Sequence, residues 1–146
     1  MTGDDPEDDD HEREGGVATP AVPWLPETLD PGLLAVAYRD LGDFVAWLRD
    51  LHVDVPQCWY VHGWIVHRLL AVQHWYTAIR DGRPTPRTTV DWWALGLQPL
   101  VHDWADVLAH RGRHAPDDDP FGPTVTTPTL EEVIIQAIRR RREQAS

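Results

Sequence analysis

Cys58 and His62 stand four residues apart in the run Cys58-Trp59-Tyr60-Val61-His62, a spacing that puts a thiol and an imidazole on one helical face. Two chemistries use such a pair. Zinc is held when about four ligands converge at ~2.0–2.3 Å, and a thiol beside an imidazole can be activated as a nucleophile. Zinc would need two further ligands. His110 and His114, near the end of a third helix antiparallel to the second, are the candidates, with His52 at the same end of the bundle. Gly112 interrupts the His110/His114 pair and the chain has no second cysteine. The sequence therefore favours Cys58 as a small core hydrophobe, His62 as a local hydrogen-bonding group, and no cofactor. Nor is the rest of an enzyme legible. No third residue orients the thiol–imidazole pair, no Gly-rich phosphate loop is present, and the only serine is Ser146.

His67 and His74 share a helical face with Tyr60, Trp64, Ala71 and Ala78. At 1.5 Å per residue the two histidines lie roughly 10 Å apart, too far to chelate one ion or to pass a proton directly. Such a face suits either a protein partner or packing against a neighbouring helix. The eight tryptophans pose the same choice, because Trp serves both as core filler and as an interface anchor. Trp47, Trp59, Trp75, Trp93 and Trp104 fit core positions. Trp64 and Trp92 fall off the main apolar stripes and, with His67 and His74, are the candidate partner-binding residues.

Charge weighs against a nucleic-acid role. The net charge is −11. Residues 1–16 hold eight acids against Arg13, a net −7, and residues 17–138 hold fifteen acids against eight Arg, another −7. Only Arg139, Arg140, Arg141 and Arg142 form a basic cluster, where DNA association would have to begin because phosphate binding needs cations to replace counterions. Cations at a helix C-terminus also complement the dipole, so a solvated helix end is the simpler reading. A DNA-associated accessory role through these four Arg is the alternative, with the acidic residues 4–14 able to fold back and mask them.

The elements that position these residues follow from periodicity. Residues 1–29 read as an acidic, Pro-rich disordered tail and linker. Asp30 caps a first helix with Pro31 at its first position. Leu34, Ala37, Leu41, Phe44, Leu48 and Leu51 then mark the stripe. A second helix is predicted over Trp59 to Arg80, with Val61, Ile65, Leu69, Val72, Tyr76 and Ile79 inward. Asp91 caps a third, carrying Trp93, Leu97, Leu100, Trp104 and Val107, and Pro99 kinks or divides it. Residues 30–113 thus form a helical domain, 114–128 a loop, and 129–146 a C-terminal helix that starts at a Thr129/Glu132 capping box and ends in the Arg cluster. The fold class is all-α, a small bundle of three to four helices with a disordered acidic N-terminal tail. A single cysteine and an acidic, unleadered start fit the cytoplasm, and no apolar stretch is long enough for a membrane span.

Cys58-Trp59-Tyr60-Val61-His62, then Leu69-Leu70, Trp75 and Ala78, a Pro-containing loop, and Asp91-Trp92-Trp93 form a pattern that resembles domain-of-unknown-function family 4913. Its members are small actinobacterial proteins carried on plasmids, integrative elements and phages. The likeness spans roughly residues 33–110, and Trp93 stands where many relatives carry His. The resemblance implies an accessory role for a mobile genetic element. Taken with the aromatic face, the expectation is a non-enzymatic helical interaction module with a protein partner or self-association.

Overall fold

Asp30 accepts from the backbone N–H of Leu33 at 2.8 Å and Pro31 occupies the first helical position, so the first helix starts where the sequence places its cap. The computed structural model describes residues 20–110 and 128–145, and among them the protein is a small all-α bundle without a strand. Helix α1 spans Pro31–Asp50, α2 Gly63–Asp81, α3 Pro86–Asp91 and α4 Gln98–Asp103, and α5 spans Leu130–Ala145. A π-helical turn, Trp92–Leu97, joins α3 to α4.

Helix α1 buries Leu34, Leu41, Phe44 and Leu48, all on its expected stripe; Leu51 lies past the helix end and is exposed. The second helix starts later than its periodicity suggests. Trp59–Val61 forms a 3-10 turn, His62 takes the N-cap position, and the α-helix begins at Gly63. Its inward residues Val61, Ile65, Leu69 and Val72 are buried as expected.

The third helix begins earlier than expected. Thr85, not Asp91, is the cap: Thr85 and Thr88 form a reciprocal capping box, and Asp91 has helical backbone angles inside the run. Pro99 does not break this run, because the chain widens just before it. The Gln98 N–H donates to the Trp93 carbonyl, five residues back. Proline has no N–H to donate, and its ring would crowd the carbonyl of Leu95 in a regular helix; a π turn accommodates both.

Helix α5 begins at the predicted capping box. The Glu132 N–H donates to Thr129 Oγ1 at 3.2 Å, and the Thr129 N–H donates to Glu132 Oε2 at 3.1 Å. The helix lies against α1, burying Val133 and Ile134, with Arg39 and Glu131 paired across the seam at 3.2 Å. Residues 129–145 therefore belong to the same bundle as residues 30–110.

The segment before α1 is more ordered than a linker. Pro26–Thr28 forms a 3-10 turn, the Val22 N–H donates to Thr28 Oγ1 at 2.8 Å, and Leu29 is buried. The expected acidic tail, residues 1–16, and most of the expected loop, residues 114–127, lie outside the described residues.

Candidate interaction surface

Trp92 anchors the core and is a correction to the sequence reading. It is fully buried, with ring centroids 5.0 Å from Tyr76 and Trp93 and about 6 Å from Trp47 and Phe44. Its indole N–H donates to the Val72 carbonyl at 2.8 Å. The π turn explains the exchange. A regular step of four would align Trp93 with Leu97; the wider turn aligns Trp92 instead and leaves Trp93 half-buried. Trp92 is therefore unavailable to a partner.

Trp75, expected in the core, is on the surface and 38% exposed. It lies over Gly96: a Cβ built there would stand 3.0 Å from two ring carbons of Trp75. Trp64, expected at the surface, is 42% exposed. These two indoles, with Arg68, Ala71 and Ala78, occupy positions 64, 68, 71, 75 and 78 of α2. Alternating steps of four and three keep such positions on one face, and all are exposed or half-buried. In the π turn, next to Gly96, Leu95 is a further exposed large hydrophobe.

His67 and His74 form the edge of this face, against the segment that precedes α1. His67 Nε2 is 3.8 Å from the Glu27 carboxylate, and the His74 ring lies 6.0 Å from the Trp24 indole. Trp24 is itself 46% exposed. Sequence reasoning missed Trp24 and Trp75 as surface aromatics. For Trp75 the signal was available, since it lies four residues after Ala71 and three before Ala78, on the helical face that carries Trp64.

Cys58 and His62 meet across the 3-10 turn rather than on an α-helical face, with Sγ 3.5 Å from Nε2 and both residues buried. Cys58 lines an open groove of about 940 Å³ together with Arg49, His52 and Asp54. Burial on this scale agrees with a core thiol rather than an accessible nucleophile. Tyr60, between the pair, donates its hydroxyl to the Pro128 carbonyl at 2.8 Å. Burial first, then the nearby Cys58 and Glu132, pushes its ionisation upward, with Arg49 opposing. His52 adopts a left-handed backbone, φ 65°, and is exposed. The 3-10 turn Val107–His110 brings Val107 against Cys58 and Val61, so the chain before His110 does return to this end of the bundle; His114 lies outside the described residues. Among the described residues no three His, Cys, Asp or Glu side chains gather as a metal site.

The Arg cluster divides. Arg139, Arg140 and Arg142 are exposed. Arg141 is half-buried and turns inward: it donates to the carbonyls of Leu29, Pro26 (3.0 Å) and Glu27 (3.5 Å). One of the four candidate phosphate contacts is thus committed to holding the start of the bundle. No helix among the described residues is long and apolar enough to cross a membrane. Comparison of the chain with protein-family models, curated proteins and solved structures finds no match.

Proposed function

We propose that this protein is a non-enzymatic helical interaction module that engages a protein partner through the outer face of α2. The carrying observation is that Trp64 and Trp75 remain about two-fifths exposed on one continuous stripe with Ala71 and Ala78. A rigid, large, amphipathic indole is the side chain most enriched among interface hot spots, and small residues between two of them let a partner element approach closely. The resemblance to family 4913 read from the sequence supports service to a mobile genetic element. The test is a photo-cross-linking residue placed at position 71 in expressing cells, with a second at Asp50 as control. The reading expects an adduct at 71 that disappears on Trp75→Ala while far-UV circular dichroism stays helical. No adduct at 71, or equal adducts at both positions, overturns it.

A further inference from the structure

The stripe on α2 reads, in order, Trp64, Arg68, Ala71, Trp75, Ala78. Laid antiparallel on itself about Ala71, it matches large with small: Trp64 of one copy falls over Ala78 of the other, and Ala71 meets Ala71. Trp75 falls beside Arg68, a cation over an indole face, which is attractive in itself. Few stripes map onto themselves this way, and self-complementarity is what a two-fold interface between identical chains demands.

Charge follows the same reversal. Near the N-terminal half of the stripe stands Asp103, paired with Arg68. Past the C-terminal end stands exposed Arg83, whereas Arg80 turns to the opposite face of the helix, toward Asp40, Asp43 and Trp47. Turning one copy end for end brings the Arg83 end of each copy toward the Asp103 end of the other, and opposes the two helix dipoles.

We infer that the occupant of this face is a second copy of the chain, its α2 packed antiparallel on the first with a two-fold axis at Ala71. The inference rests on the reading of this face as an interaction surface. Sedimentation velocity of the full chain across micromolar concentrations is expected to show a monomer–dimer equilibrium. Ala71→Glu, which sets two like charges at the axis, shifts it to monomer with helicity retained. Ala71→Cys is expected to cross-link to a dimer with a short thiol-reactive bridge, as both positions sit at the axis. Ala78→Cys cross-links poorly, because its two copies lie fourteen residues, or roughly 21 Å, apart along the helices; wild-type chain, with Cys58 alone, is the control. A chain monomeric throughout, or one that bridges at position 78 as readily as at 71, overturns the pairing. A monomeric chain whose position-71 photo-cross-linker still captures a different protein, in a manner lost on Trp75→Ala, overturns the pairing and leaves the interaction reading standing. No adduct of either kind removes both.

Discussion

Trp92 donates its indole N–H to the main-chain carbonyl of Val72 across the centre of the bundle, at 2.8 Å. The other fully buried indole in this region, Trp104, has no acceptor for its N–H among the described residues. Two chemically identical side chains therefore differ in one hydrogen bond, and a buried donor without an acceptor costs about 1–3 kcal/mol. Replacing each with Phe separates the two. Trp92→Phe is expected to be more destabilising than Trp104→Phe by about 1–3 kcal/mol, measured by urea denaturation with equal m-values as the check on two-state behaviour. Equal losses would mean that the Val72 bond contributes nothing.

Arg141 gives a second prediction. Removing its guanidinium by Arg141→Ala leaves the Pro26, Glu27 and Leu29 carbonyls without that donor, for an expected loss of about 1–3 kcal/mol. The effect should be local. Amide exchange should quicken over residues 22–29 and little elsewhere, and Arg141→Lys should recover only part, since a lysine lacks the planar fork that reaches several acceptors together.

Gly96 and Trp75 should be energetically coupled. Gly96→Ala raises helix propensity by about 1 kcal/mol but drives a methyl toward the Trp75 ring, which stands 3.0 Å from the built Cβ. In the wild-type background the two effects nearly cancel and the Trp75 fluorescence changes. In a Trp75→Ala background the gain is expected to appear in full, a coupling of about 1 kcal/mol in a double-mutant cycle.

Acid and alkaline behaviour have opposite origins. The Arg39 hydrogen bond, aided by its charge, holds the Glu131 carboxyl below its ordinary 4.5. A depressed carboxyl stabilises the fold above its unfolded value and loses that contribution as pH falls through the lower folded one. Both side chains are exposed, so the change in stability is small and the cleaner measurement is the Glu131 titration by NMR, which Arg39→Ala should return toward 4.5. At the other end, burial pushes Tyr38 above 10, with Arg140 and Arg141 opposing. A raised tyrosine contributes fully below its unfolded value and progressively less as pH rises beyond it. Phenolate absorbance should therefore show folded-state ionisation above 10, and Tyr38→Phe should lessen the alkaline loss of stability.

Much of the fold was legible because it depends on local chemistry. Asp30-Pro31 and Thr129/Glu132 act within one helical turn, and both helices begin where those residues say. The α1 and α2 stripes follow a regular period, and their buried residues follow with them. On regular α2 the reading misplaced Trp75, which is exposed, and it failed again where the period itself changed. Extending a regular step of four through Pro99 put Trp93 inward and left Trp92 for the surface, whereas the π turn spaces the buried positions as 92, 97, 100 and 104. That inversion moved one candidate partner residue into the core. The inward turn of Arg141 was illegible for a different reason: the carbonyls it meets lie more than a hundred positions earlier in the chain, and no local pattern encodes them.

That same separation orders events during synthesis. Leu29 and the 3-10 turn before α1 are among the first of the described residues to leave the ribosome, yet their guanidinium donor, 112 positions after Leu29, is among the last. Contacts of such long range close late, because the intervening chain must already be gathered before they are rewarded. A nascent chain halted before α5 would hold α1 through α4 with its first turn unfastened and Tyr38 and Gly42 without their α5 neighbours Val133 and Leu130. Emergence of α5 is thus the step that covers the open side of α1 and fixes the segment before it in one event.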